Sequence, residues 1–256
     1  MTTFWLVALS GLLGLAVGSF LNVCIYRLPL DQSLAFPASH CTSCNRKLSW
    51  FENVPVLAWL VLRGRCRTCR AGISVVYPLV ELFTGAMFTW AAWRYGPGWL
   101  LISRLLFGCM LIVLFFIDLR HRILPNVITV GGTIVGFILS FVTPPGWASS
   151  LIGLAIGGLI PLLLAEAYLR LRKLEGLGMG DVKMLALIGA FLGWQLVLLT
   201  LAVASILGSL VGLGLIMTRR GDLKLALPFG TFLAVAAMFA AAAGEPIVQW
   251  YMGFYR

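Results

Sequence analysis

Two aspartates lie where a strongly apolar chain would be expected to carry none. Asp118 ends one apolar run, LLFGCMLIVLFFID, and Asp181 opens another directly after the glycines of GLGMGD. An ionisable group at membrane depth is costly and is usually functional. Two carboxylates at one site cannot both ionise easily, so they share a proton and can act as an acid and a base, as in aspartic proteases. The two aspartates are therefore a candidate proteolytic pair if the fold brings them together.

The composition indicates an integral membrane protein. Hydrophobic residues make up 61% of the 256 residues and charged residues only 11%, a balance that soluble domains do not have. Because one span needs about 20 apolar residues, the sequence predicts an all-α polytopic protein with about eight transmembrane helices. The first is expected to be retained, since it has neither a charged start nor a small-residue cleavage site. The predicted spans are residues 4–26, 73–94, 99–118, 123–142, 149–170, 182–194, 196–217 and 225–243.

The basic residues predict how these helices are oriented. All but Arg94, Arg104 and Arg256 of the 19 Lys and Arg residues fall in four segments that an eight-span arrangement places on one side. By the positive-inside rule that side is the cytoplasm, so both termini are predicted to be periplasmic. Asp118 and Asp181 are separated by two complete spans and are therefore expected at the same cytoplasmic depth. The net charge of +10 is divided among four loops, and we predict no nucleic-acid partner.

A small cytoplasmic loop domain is expected to bind zinc. Two C-x-x-C pairs, Cys41 with Cys44 and Cys66 with Cys69, are separated by 21 residues. Thiolates at this spacing typically form a tetrahedral zinc site, and disulfides rarely persist in the cytoplasm. Four cysteines complete the coordination shell, so the predicted Zn²⁺ is structural. The alternative is that the pairs are redox-active or incidental.

The predicted domains follow from the spans and the cysteines. The sequence divides into a first transmembrane helix (1–26), a cytoplasmic zinc-binding domain (27–72), a transmembrane aspartic peptidase core (73–243) and a periplasmic C-terminal tail (244–256).

Each aspartate also has an interpretation without catalysis. Asp118 could pair with Arg120 or Arg122, and Asp181 could be the N-cap of the sixth span. As a pair, one ionised aspartate would take a proton from water while the protonated one hydrogen-bonds the scissile carbonyl. Which of them holds the proton cannot be decided from the sequence. No G-x-S-x-G or H-E-x-x-H motif offers a competing site.

The residues around Asp181 favour access for a peptide. Gly178 and Gly180 could form only a hinge, but as a strand-like or turn approach they also remove side-chain bulk next to the acid. A substrate backbone could then come close to it. Lys183 could hold Asp181 or nearby backbone groups in place, or its positive charge could serve only to set the orientation of the helices in the membrane.

The combination of these motifs resembles the bacterial type IV prepilin leader peptidase and N-methyltransferase family, which serves type IV pili and type II secretion. The resemblance covers nearly the whole chain. It rests on the two C-x-x-C pairs, on Asp118 and on residues 18–22 (GSFLN), 27–29 (RLP), 50–55 (WFENVP), 77–81 (YPLVE), 124–125 (LP), 178–183 (GMGDVK) and 228–230 (PFG).

The resemblance implies a bifunctional enzyme of the bacterial inner membrane. Such enzymes cut the basic leader from prepilins and pseudopilins on the cytoplasmic side, after a glycine. They then methylate the new N-terminal residue with S-adenosylmethionine. The resemblance implies that Asp118 and Asp181 are the protease pair and that the cysteine loop serves methylation. No G-x-G-x-x-G segment exists to hold the cofactor, and Glu52, Asn53 and Gly64 are the candidates for methyl transfer. Acidic membrane lipids are expected to attract the basic leader.

Two other functions would use the same residues. A transporter could use the two acids as a path for protons or cations, although it gives the cysteine loop no evident role. A non-catalytic scaffold of a secretion machine could use the zinc loop as a docking surface.

Overall fold

The computed structural model describes residues 2–173, 178–218 and 227–254, and these residues are predominantly helical. Short 3₁₀ helices occupy Leu28–Leu30 and Trp50–Asn53. The α-helices of the described residues are α1 (Thr2–Arg27), α2 (Leu57–Val61), α3 (Val76–Tyr95), α4 (Trp99–His121), α5 (Asn126–Leu139), α6 (Trp147–Arg172), α7 (Met179–Leu192), α8 (Trp194–Met217) and α9 (Phe229–Gly253).

Five helices are long and apolar enough to cross a membrane: α1, α4, α6, α8 and α9. The helices α5 and α7 have 14 residues each, which is about 21 Å of helix and shorter than the hydrocarbon core of a bilayer. Helix α3 carries both Glu81 and Arg94. The chain is an all-helical membrane protein, and within its described part five spans, rather than the predicted eight, meet both criteria.

Each predicted span contains one helix, but several helix ends differ from the predicted ones. Helix α5 begins only after Pro125, which is extended with ψ 130°. Helix α9 likewise begins after Pro228, and it continues through Pro246 to Gly253, so most of the predicted tail is helical. A proline inside a helix removes one backbone hydrogen bond, but the helix can continue past it when the neighbouring residues remain helical. The predicted basic segment at residues 219–224 lies outside the described residues.

The first compact unit is Met1–Leu105, in which α1 packs against α3. The two helices approach closely at glycines. A Cβ atom on Gly18 would lie 2.7 Å from Cα of Glu81, and one on Gly14 would lie 2.9 Å from Cα of Gly85. Small residues at a helix crossing are typical of membrane proteins, where close packing replaces the hydrophobic effect. The segment that joins α1 to α3 carries the four cysteines.

The second compact unit is Leu106–Arg256, and α7 lies at its centre, in contact with α5, α6, α8 and α9. Nearly every residue of α7 after Asp181 is buried, and Phe191 stacks on Phe107 of α4 with ring centroids 4.9 Å apart. A helix enclosed by other helices need not match the bilayer thickness, since its sides face protein rather than lipid. This enclosure explains how so short a helix is held, and it fixes the position of its first turn.

Candidate active site and cysteine cluster

Asp118 lies in the last turn of α4. The helix ends because Arg122 adopts a left-handed conformation (φ 55°) and donates its backbone N–H to the carbonyl of Asp118 at 2.9 Å. Asp118 is buried, with 4% of its surface exposed. Arg122 attracts the carboxylate, but neither Arg120 nor Arg122 forms a direct ion pair with it among the described residues.

The direct partner of the Asp118 carboxylate is Thr231, the third residue of α9. Its backbone N–H donates to Oδ2 at 2.7 Å and its hydroxyl donates to the same oxygen at 3.0 Å. Gly230 makes this approach possible, because a Cβ atom there would lie 3.0 Å from Oδ2. We did not predict a role for Thr231 from the sequence. The available signal was its place in the first turn of a helix that follows a proline, where backbone N–H groups lack partners.

Asp181 is the third residue of α7, and Gly178 is the N-cap. The interpretation of Asp181 as the N-cap is therefore wrong by three positions. Of the strand-like or turn approach predicted for residues 178–181, Gly178 is extended and the following three residues form the first turn of the helix. The Asp181 carboxylate accepts a hydrogen bond from the backbone N–H of Gly178, which is half of a capping box. Asp181 is partly exposed, whereas Asp118 is buried.

The structure brings the two acids close enough for the charge of Asp118 to act on Asp181. Leu124 lies beside Gly180 and Gly230, the glycines next to Asp181 and Thr231. A Cβ atom on Gly180 would lie 3.1 Å from Cβ of Leu124, and one on Gly230 would lie 3.0 Å from Cδ1 of the same leucine. Leu124 thus contacts the first turns of α7 and α9, whose backbone groups bind the two carboxylates.

Lys183 does not pair with Asp181 in the structure. Its Nζ atom donates to Oδ1 of Asn126, the first residue of α5, at 2.8 Å. Lys183 therefore ties the start of α7 to the start of α5.

We expect that Gly230→Ala slows leader cleavage. The added methyl group would meet Oδ2 of Asp118 and Cδ1 of Leu124, both at 3.0 Å, so one of them must shift. The required shift is a few tenths of an ångström, and since a displacement of 1 Å can cost about 100-fold in rate, a smaller but measurable loss is expected. Cleavage rates of the purified variant measure this effect. The matched control is Gly131→Ala in α5, where a Cβ atom meets nothing within 4 Å, and equal rates for the two variants would contradict the prediction.

The four cysteines form one cluster. Their Sγ atoms all lie within 4.8 Å of one another, and Sγ of Cys41 is 3.8 Å from Sγ of Cys69. A tetrahedral zinc site with Zn–S bonds of about 2.3 Å requires sulfur atoms about 3.8 Å apart. The cluster of Cys41, Cys44, Cys66 and Cys69 is therefore compact enough to bind a metal ion.

The two halves of the cluster repeat the same backbone pattern. The N–H of Asn45 bonds the carbonyl of Cys41, and the N–H of Arg70 bonds the carbonyl of Cys66. Both Asn45 and Arg70 have positive φ angles, of 53° and 60°. Each pair therefore forms a tight knuckle, which turns its two thiols toward the same point.

Backbone donors within the knuckles favour the thiolate form that binds metals. The N–H groups of Cys69 and Thr68 lower the pKa of Cys66 to about 6. Those of Cys44 and Ser43 likewise lower the pKa of Cys41. The four-thiol donor set, with two of its members held toward the thiolate form, fits a soft divalent cation such as Zn²⁺.

Glu52 has its carboxylate engaged within the cysteine loop. Arg46 donates to Oε1 at 2.5 Å and the backbone N–H of Ser49 donates to Oε2 at 2.8 Å. The Arg46 hydrogen bond is the main reason that the pKa of Glu52 falls to about 2. Asn53, the next residue, is exposed. Glu52 therefore braces the segment that presents Asn53.

Gly64 is required by its backbone and by a neighbouring ring. It has a φ angle of 65°, and a Cβ atom there would lie 2.9 Å from the indole ring of Trp59. Trp59 in turn donates its Nε1–H to the carbonyl of Ile73 at 3.1 Å, and Ile73 donates its N–H to Gly64 at 2.7 Å. Gly64, Trp59 and Ile73 thus form one packed unit beside the second knuckle.

We expect that Gly64→Ala damages methyl transfer more than leader cleavage. A residue with a side chain in this left-handed conformation costs about 1–3 kcal/mol, and the indole contact adds to that strain. Rates of both reactions, with limited proteolysis of the loop, measure the effect. Gly72→Ala is the matched control, since a Cβ atom at Gly72 meets nothing within 4 Å. Equal behaviour of the two variants would contradict a specific role for Gly64.

Glu81 of α3 binds the loop that lies between the cysteine pairs. It is buried, and its Oε2 atom accepts the backbone N–H of Val56 at 2.7 Å. Val56 has φ 61° and ψ −51°, and the N–H of Leu57 bonds the carbonyl of Pro55 at 2.6 Å. This is a γ-turn centred on a β-branched residue, which is a strained conformation that its surroundings must hold. The hydrogen bond from Val56 to Glu81 stabilises this turn.

Together, the helices, the acid pair and the cysteine cluster define a polytopic membrane protein with a candidate aspartate site and a candidate metal site. Residues 12–95 match the bacterial peptidase A24 N-terminal domain, and residues 105–213 match the type IV leader peptidase family. The chain belongs to the type IV leader peptidase family.

Curated relatives support this membership over most of the chain. A prepilin leader peptidase/N-methyltransferase of Aeromonas hydrophila is 37% identical over 277 residues, covering 97% of this chain and 94% of that protein. One from Pseudomonas aeruginosa is 33% identical over 270 residues, covering 95% and 92%. One from Myxococcus xanthus is 45% identical over 204 residues, covering 78% and 60%. No solved structure matches the chain.

Proposed function

We propose that this chain is an aspartic endopeptidase and N-methyltransferase that processes prepilins of type IV pili or pseudopilins of type II secretion. The observation that carries the proposal is that Asp118, in the last turn of α4, lies close enough to Asp181, in the first turn of α7, for its charge to act on it. The family membership and the names of the relatives support both activities.

The proposed cleavage is an acid–base hydrolysis. One carboxylate takes a proton from a water molecule as the water oxygen attacks the scissile carbonyl carbon. The other aspartate, which carries the shared proton, donates it to the carbonyl oxygen. The leaving amine is then protonated and the leader is released. Asp118 and Asp181 are the residues that we assign to these two roles.

The two glycines before Asp181 leave space for the substrate. Gly178 has an extended backbone (φ −69°, ψ 137°), and a Cβ atom there would lie 3.3 Å from Oδ2 of Asp181. Because residue 178 has no side chain, this side of the Asp181 carboxylate stays clear. We propose that the peptide bond after the substrate's own glycine is bound on this side, with Gly180 and Lys183 holding the first turn of α7 in place.

The proposed metal is a structural Zn²⁺ ion held by the four cysteine thiolates. Four thiolates complete a tetrahedral shell and leave no position for a substrate, so the ion would stabilise the loop rather than take part in hydrolysis. We propose that the loop in turn holds the residues needed for methylation.

Methyl transfer is proposed to use S-adenosylmethionine, which supplies the methyl group when bound. Asn53 is the candidate with an exposed side chain, and it is the one suited to contact the cofactor or the new N-terminus. Glu52 and Gly64 would position this part of the loop through Arg46 and Trp59.

The proposed location is the bacterial inner membrane, with eight spans, both termini in the periplasm and the aspartates facing the cytoplasm. The distribution of Lys and Arg in the sequence supports this orientation. We propose that acidic lipids and the apolar helix of the prepilin bring the substrate to the enzyme. A transporter or a scaffold finds no support in the relatives, whose names describe peptidases and methyltransferases.

The experiment that tests the proposal is N-terminal mapping of the product. Purified protein in detergent micelles would be incubated with a prepilin, and the new N-terminus would be sequenced. We expect a single cut, directly after the glycine that ends the leader. Cuts at many positions would indicate a contaminating protease, and an uncut prepilin with ion flux in liposomes would favour the transporter.

A further inference from the structure

The two aspartates of the candidate site have unequal hydrogen-bond surroundings. Oδ2 of Asp118 accepts two hydrogen bonds from Thr231, at 2.7 Å from the backbone N–H and at 3.0 Å from the hydroxyl. Among the described residues, which leave out 174–177, Asp181 accepts one hydrogen bond, from the backbone N–H of Gly178 at the start of its own helix. Hydrogen bonds donated to a carboxylate favour its ionised form, so the asymmetry distinguishes the two acids.

The first turn of α9 makes Oδ2 of Asp118 an obligatory acceptor. The first N–H groups of a helix have no partner within the helix, and the N-cap Pro228 makes no side-chain hydrogen bond to them. Asp118 supplies the missing acceptor from α4. A backbone N–H can only donate, so a proton on Oδ2 directed at Thr231 would break this bond. Any proton held by Asp118 would have to be on Oδ1.

The charged groups around the pair also favour an ionised Asp118 and a protonated Asp181. Arg122 attracts the carboxylate of Asp118, and the positive end of the α9 dipole points toward it. From α7, Asp181 is repelled by Asp118, while Lys183 is engaged by Asn126 of α5. Burial of Asp118 opposes its ionisation, but charge-assisted hydrogen bonds are roughly twice as strong as neutral ones, and two converge on one oxygen.

We propose that Thr231 is a positioning residue that keeps Asp118 in the carboxylate form, so that Asp118 is the general base and Asp181 carries the shared proton. The proposal rests on the proposed proteolytic function and assigns the two roles within it. In this proposal the first turn of α9 contributes to catalysis by keeping Asp118 ionised.

The assignment determines the path of each proton. Asp118 takes a proton from water through Oδ1 while the water oxygen bonds to the carbonyl carbon, and Asp181 gives its proton to the carbonyl oxygen. The resulting diol collapses when the C–N bond breaks. The amine then receives the proton from Asp118, and a diol hydroxyl returns one to Asp181. Both aspartates end in their starting states.

The test is the pH dependence of kcat/KM for leader cleavage by Thr231→Val. Valine has nearly the shape of threonine and keeps the backbone N–H, but it removes the hydroxyl donor at 3.0 Å. Loss of one hydrogen bond to a charged group should move the acid limb of the profile to higher pH by about one to two units. Thr231→Ser retains the donor and should restore the wild-type limb.

The matched control is Thr133→Val in α5, whose hydroxyl bonds the carbonyl of Thr129 at 2.7 Å and serves no acid. It should leave the limb unchanged. An unmoved limb in Thr231→Val, or a limb that moves to lower pH, would overturn the proposal. If Thr231→Val does not fold, Thr231→Ala replaces it in the same measurement. Failure of the proposed function itself is separate, because wild type would then show no cleavage at any pH.

Discussion

Replacement of either aspartate by asparagine should abolish leader cleavage without unfolding the protein. Asparagine has the shape of aspartate, and at position 118 its carbonyl oxygen can still accept the N–H of Thr231 that Asp118 accepts at 2.7 Å. It cannot accept or donate the catalytic proton. General acid–base groups contribute about 10²- to 10⁴-fold to a rate, so Asp118→Asn and Asp181→Asn should each lose at least that factor.

Initial cleavage rates for the two variants, at matched concentrations of monodisperse protein, measure this loss. The matched control is Glu166→Gln, which removes an acid from the same unit. Glu166 pairs with Arg170 at 2.8 Å on an exposed helix surface, where an ion pair contributes little, so its rate should equal that of wild type. A variant of Asp118 or Asp181 that cleaves at the wild-type rate would remove that residue from the proposed pair.

Replacement of Cys66 and Cys69 by serine should remove the proposed zinc ion and methyl transfer while cleavage is retained in larger part. The two residues supply half of a cluster whose Sγ atoms lie within 4.8 Å of one another. A structural zinc site contributes about 10–16 kcal/mol to the order of the segment around it, so its loss should unfold the loop between the knuckles. That loop holds Asn53 and Gly64.

Zinc content by mass spectrometry and the rates of both reactions measure this effect. Cys24→Ala, which removes a buried free thiol of α1, is the matched control and should retain one zinc per chain. A double serine variant that still binds one zinc would contradict the assignment of the site. If expression and both activities fall together, the loop supports the whole protein rather than methylation in particular.

The sequence predicted the parts of the site that depend on residue type and spacing. The cysteine pairs bring their own local turns, and the structure gathers them into one cluster. The prediction that Asp118 and Asp181 lie at one depth came from counting spans, which requires only helix length and the direction of the chain, and it stays a prediction. The helical character of the chain was equally predictable, because apolar runs of this length have few other structures available.

The unpredicted parts depend on contacts between residues far apart in the sequence. Thr231 is 113 positions from Asp118, and no local pattern indicates that the start of one helix meets the end of another. The link between Glu81 and Val56 crosses 25 positions and holds a strained turn that residue preferences would argue against. The short α7 was predictable as an apolar segment, but its enclosure by four helices was not.

The most direct test of the proposed function is the intact mass of a prepilin after incubation with the purified wild-type protein, with and without S-adenosylmethionine. With the cofactor we predict loss of the leader and the gain of one methyl group on the mature protein, and without it we predict loss of the leader alone. A prepilin whose mass does not change in the presence of well-folded protein, across substrates of both secretion and pilus type, would contradict the proposed function.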